Sequence, residues 1–108
     1  MKAETPPAVA SFFHAHNTGH TNEVMTLFTT DAIVHDEERE HRGAAIKDWL
    51  DKAVVQYKPH AEAVDISSEG CVLTVTANVS GTFPGSPIQL RYHFTLKGNE
   101  IAALTIGT

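Results

Sequence analysis

At 108 residues the chain suits one compact domain, 1–108, built on one core. An apolar share of 42% against 19% charged residues is ordinary for a soluble globular protein, and a net charge of −5 with scattered Lys and Arg excludes a nucleic-acid-binding footprint. No apolar run nears membrane-spanning length, Met1–Pro7 lacks the apolar segment of a secretory signal, and the lone Cys71 permits no internal disulfide, so a reducing, cytoplasmic home is expected.

Pro6-Pro7 opens a first helix, because proline is tolerated where the amides lack partners anyway. Val9, Phe12, Phe13 and His16 recur at i, i+3, i+4 and i+7 on one face, and Gly19 supplies the left-handed residue that closes the helix. A short second helix is predicted with Val24, Leu27 and Phe28 on one side. Asp31–Asp36 is β-branched and brief, which reads as a strand. The charged run Asp36–Arg42 is expected as a solvated loop. Beyond Gly43, a third helix places Ile46, Trp49, Leu50, Ala53, Val54 and Tyr57 along one stripe until Lys58-Pro59 breaks it.

From there the period changes to two. Strands near 60–67, 71–83, 87–97 and 100–107 are separated by Ser68-Glu69-Gly70, Pro84-Gly85-Ser86 and Gly98-Asn99, each a turn signal. Short turns make consecutive strands antiparallel neighbours. The predicted domain is α+β, three N-terminal helices packed on a curved antiparallel sheet, in the order α-α-β-α-β-β-β-β. Leu73, Val75, Ala77 and Val79 share a face, as do Ile88, Leu90, Tyr92, Phe94 and Leu96, so these rows turn toward the helices. Tyr92 is the one polar tip in its row. The last strand is apolar at both parities, which suggests burial of its second face against another subunit, or a central position under its own helices.

Leu27-Phe28-Thr29-Thr30-Asp31-Ala32-Ile33-Val34-His35-Asp36, followed by Arg42-Gly43-Ala44-Ala45-Ile46, resembles the nuclear transport factor 2-like superfamily, which includes ketosteroid isomerases and SnoaL-like polyketide cyclases. The resemblance extends through Asn17, Gly19 and His93-Phe94 and implies a cone-shaped α+β barrel, the cystatin-like roll. It implies an acid, Asp36, pointing into an apolar pocket, with Tyr92 where the isomerases carry a neutral acid and His16 and Trp49 on pocket-lining positions. It also implies a homodimer joined through the outer sheet face. Phe12 stands where those enzymes have a tyrosine, and losing one oxyanion donor costs on the order of 10²–10³ in rate, which argues against a true ketosteroid isomerase.

The candidate catalytic residues are therefore Asp36, Tyr92 and His16, and Phe12, Val34, Trp49, Val75 and Leu90 are the candidate pocket walls. A carboxyl in an apolar hollow has its charged form disfavoured, which suits proton transfer, and a phenol opposite can stabilise a developing oxyanion. His16 can instead pair with Asp36 and serve as the base. Each also has a plain structural reading: Asp36 a solvated acid, Tyr92 a core residue satisfied by a carbonyl, Trp49 core, His16 a boundary histidine. His14 and His16 project about 200° apart around a helix, and no HExxH, paired CxxC or calcium loop occurs, so no metal is expected. No phosphate loop is present, so no organic cofactor is implied. The predicted function is a SnoaL-like domain for a small hydrophobic molecule with cofactor-free isomerase, cyclase or dehydratase chemistry; the alternative is a non-catalytic ligand-binding or dimerisation module.

Overall fold

Proline sets the first boundary. In the structure, a computed structural model that describes residues 5–36 and 38–107, Pro6 is extended and α1 runs from Pro7 to Thr18. Its end is closed by Gly19 at φ 78°, whose amide bonds Ala15 O. Residues 1–4, on which the reading of an export signal fell, lie outside the described residues, as do Glu37 of the charged run and Thr108.

The second helix of the sequence reading is a single 3₁₀ turn, Val24–Leu27. Nucleating a longer α-helix is costly, and the β-branched and aromatic residues that follow favour extension. The Thr26 hydroxyl donates to Glu23 O at 2.6 Å and helps close the turn locally. The chain extends at once into β1, Phe28–Asp36, three residues earlier than periodicity suggested. Half of the expected solvated loop is also a strand: β2, Arg39–Arg42, pairs antiparallel with the end of β1. Its four residues carry charge or imidazole, which concealed it. The described residues thus hold two α-helices, and α2 spans Ala44–Tyr57, with Ile46 and Leu50 buried and left-handed Lys58 at its end.

The remaining strands are β3 His60–Glu69, β4 Val72–Ser80, β5 Ile88–Lys97 and β6 Glu100–Gly107. All six form one sheet in the order β2-β1-β6-β5-β4-β3. The β3-to-β6 meander is antiparallel, as the turns require, but β1 lies parallel to β6, so the sheet is mixed. The connection from β1 back to β6 passes through α2 and the whole meander, so no short turn dictates direction there.

The last strand sits inside the sheet, between β1 and β5. Its pairing skips a residue: Thr95 faces Ala103 while Leu96 faces Ile101, so Ala102 is a bulge. The bulge rotates the parity by one, and Ile101 and Leu104 both reach the core at 0% exposure. An apolar pattern at both parities therefore arises within a single chain, and needs no partner subunit to explain it. The core gathers Val9 and Phe12 from α1, Ile46 and Leu50 from α2, and Val34, Val75, Tyr92, Phe94 and Leu104 from the sheet.

Candidate active site

Strand register brings the acid and the phenol onto one line. Asp36 faces Ile106, Ile106 faces Tyr92, and Tyr92 faces Val75, so Asp36 and Tyr92 share a cross-strand row two strands apart. Their backbones are then roughly 10 Å apart. Both lie on the parity of buried neighbours, Val34 beside Asp36 and Phe94 beside Tyr92, which turns them toward the helices.

Asp36 is half-buried at the end of β1, and its Oδ2 accepts a hydrogen bond from Trp49 Nε1 at 2.9 Å. Trp49 projects from α2 toward the end of β1 because it lies on the same stripe as Ile46 and Leu50. His41, inward on β2, stacks on the indole with centroids 5.8 Å apart at 29°. This bond orients the carboxylate and leaves its second oxygen without a partner among the described residues.

Tyr92 is 2% exposed, packed edge-on by Phe13 at 5.0 Å. Burial and then the nearby Asp36 charge push its phenol far above the ordinary tyrosine range. It is held as a neutral hydrogen-bond donor, and its hydroxyl has no partner among the described residues.

His16 is buried, its ring edge-on to Tyr92 with centroids 6.3 Å apart. The anticipated pairing with Asp36 does not form among the described residues; Nδ1 instead lies 2.9 Å from Asn17 Oδ1. Burial holds the imidazole below its ordinary pKa, against the Asn17 hydrogen bond and with a small further push from His60.

The candidate walls divide by burial. Phe12 and Val34 are 0% exposed and Val75 1%, packed within the core. Trp49 and Leu90 are half-buried, as are Phe13 and Ile106, and these ring the Asp36–Tyr92 end of the sheet. Two shallow depressions of about 320 and 260 Å³ open elsewhere, where Pro6 and Leu96 meet at the start of α1, and neither is lined by any candidate site residue. Cys71 is exposed in the first. Among the described residues, no three His, Cys, Asp or Glu side chains are grouped to hold a metal ion, and no helix is long and apolar enough to cross a membrane.

Sequence reasoning missed His41 and Asn17. His41 had a faint signal in the alternation of β2, hidden by charge. Asn17 was marked only by the family resemblance, which gave it no role, since its partner Ala61 is 44 residues away.

No family profile and no curated protein sequence matches the chain. Solved structures do. A Sinorhizobium meliloti protein, provisionally described as a polyketide cyclase, is 38% identical over 95% of both chains, with a TM-score of 0.91. A Catenulispora acidiphila protein with a ketosteroid isomerase-like fold, in complex with trimethylamine, is 20% identical over 97% of this chain and 87% of its own, at TM-score 0.84. An NTF2-like protein of unknown function from Cytophaga hutchinsonii is 17% identical, covering 99% and 93%, at 0.78. The last two show likeness of fold alone.

Proposed function

The chain belongs to the nuclear transport factor 2-like superfamily, among its SnoaL-like members, and we propose that it binds a small hydrophobic molecule at the Asp36–Tyr92 end and moves a proton on it. The observation that supports this reading is the shared inward row of Asp36 and Tyr92, with one carboxylate oxygen already held by an indole. The free oxygen of Asp36 takes a proton from a carbon acid of the ligand. The neutral Tyr92 hydroxyl donates to the oxygen on which charge then develops, where a preformed donor is most effective. Trp49, Phe13, Leu90 and Ile106 offer the apolar contact area. The chemistry is of isomerase, cyclase or dehydratase type, and it calls for no organic cofactor.

The test is deuterium exchange into small cyclic ketones in heavy water, wild type against Asp36→Asn. The expected loss in the variant is on the order of 10²–10⁴-fold, the usual worth of a positioned general base. Equal exchange rates would remove Asp36 from the chemistry.

One observation favours the non-catalytic reading. Phe12, Val34 and Val75 are packed tight, so a ligand meets a shallow apolar mouth rather than a deep hollow. In that case ligand binds the same end without turnover, and Asp36→Asn alters affinity only.

Homodimerisation through the outer sheet face belongs to the same proposal. Half-buried Ile33, Ala103 and Thr95 form one row there that ends at exposed Val72, a modest apolar strip across four strands.

A further inference from the structure

Asn17 is held by both polar groups of one peptide residue across the fold. Its Nδ2 donates to Ala61 O at 3.0 Å, and its Oδ1 accepts from Ala61 N–H at 2.8 Å. Turning the amide over would set its NH₂ against an N–H and its oxygen against a carbonyl, losing both bonds, so the pair defines which atom is which. The oxygen that receives Ala61 N–H is also the atom 2.9 Å from His16 Nδ1. An amide oxygen only accepts, so the proton of that contact sits on Nδ1. A second proton on the ring is opposed by burial and by His60, the titratable group on β3 that faces it. Tyr92 on β5 is the other titratable neighbour, and it stays neutral.

We infer that Asn17 is a positioning residue for the site: clamped to the start of β3, it holds His16 as the uncharged Nδ1–H tautomer and leaves Nε2 as a proton acceptor beside Tyr92. The assignment rests on the reading of the Asp36–Tyr92 end as the functional site, and adds to it a second base that carries no charge. Nε2 has no partner among the described residues, while none of their buried side-chain nitrogens or oxygens is left orphaned. The lone pair is therefore open to solvent or to a ligand's O–H or N–H. The clamp also explains how an imidazole one helical turn after Phe12 keeps a fixed orientation on an element whose last turn ends just beyond it.

The sign of the pH response follows. The folded value is depressed, so below about 6.5 the unfolded chain binds the proton first. Folding then favours neutral His16 above that pH, and the advantage is lost as pH falls.

The experiment is long-range ¹H–¹⁵N correlation of the histidine rings in uniformly labelled full-length protein, titrated from about pH 8 to 5, with no ligand present. In the wild type, His16 is expected as the Nδ1–H tautomer, still neutral at the ordinary imidazole midpoint of about 6.5. Asn17→Ala is expected to return His16 toward the Nε2–H form common in free imidazole. Asn17→Asp keeps an acceptor at the same place but adds charge, so Nδ1–H is retained and protonation moves to higher pH. An Nε2–H wild-type ring, an ordinary wild-type titration, or an unchanged titration in Asn17→Asp would each overturn the assignment. The wild-type spectrum decides even where Asn17→Ala fails to fold. Asp36→Asn separates the two readings: loss of the proposed proton chemistry leaves the His16 tautomer as it was, whereas failure of the Asn17 clamp shows in the wild-type ring before any substrate is added.

Discussion

Tyr92 keeps its proton because burial leaves a phenolate poorly solvated and the Asp36 carboxylate adds a like charge nearby. Its folded pKa lies above the ordinary value of about 10, so the unfolded chain ionises first as pH rises. Stability is intact below that point and falls above it, with a limiting slope of about 1.4 kcal/mol per pH unit for one proton. Urea midpoints followed from about pH 8 to 11 should decline more steeply in the wild type than in Tyr92→Phe, which has no proton to lose. Trp49 acts through a neighbour. Trp49→Phe retains most of the ring area but removes the only hydrogen bond to the Asp36 carboxylate among the described residues. The expected cost is about 1–2 kcal/mol in stability, read from the urea midpoint. An unchanged midpoint would show that the bond contributes nothing in solution.

Element boundaries depend on a few close approaches. The loop between β4 and β5 turns under the end of α2, where the amide of Thr82 donates to Tyr57 O at 2.7 Å and Phe83 packs edge-on against the Tyr57 ring at 5.8 Å. Gly81 lies in that contact, and a Cβ added there would stand 2.5 Å from Tyr57 O. Backbone cannot yield as a flexible side chain does, so Gly81→Ala should cost about 1–3 kcal/mol, in the range of overpacking. Gly107→Ala, with nothing within 4 Å of its added Cβ, should leave the thermal midpoint nearly unchanged. A similar loss in both variants would show that the approach to Tyr57 O is not what makes Gly81 necessary. The Ala102 bulge is the other decisive local feature, since it alone lets alternate parities of β6 share the core.

For the molecule as a whole, the open question of assembly lies on the outer sheet face. The proposed dimer buries the strip of Ile33, Ala103, Thr95 and Val72. A lysine at its centre should disrupt it without touching the core, since Ile33 is on the opposite side of β1 from Val34. Ile33→Lys is expected to shift a sedimenting dimer to monomer with an unchanged circular dichroism spectrum. A wild-type protein that already sediments as a monomer at micromolar concentration would dispose of the dimer. Each copy carries a net charge of −5, so the two repel and added salt should favour the dimer.

Patterns of period 3.6 and 2, the proline at the first turn, and glycine at the helix end were enough to read α1, α2 and the four-strand meander from residues alone, because each is a local consequence of side-chain spacing. The motif from Leu27 to Ile46 likewise pointed to the family and to Asp36, and the resemblance extended through His93-Phe94 pointed to Tyr92. Three things were decided only when the chain closed on itself. The charged segment Arg39–Arg42 became a strand because β1 offered it a free edge. The parallel seam between β1 and β6 brought positions 36 and 92 into one row. The clamp between Asn17 and Ala61 set the orientation of His16. Each depends on partners remote in the chain, and no periodicity within a segment encodes which distant backbone will lie beside it.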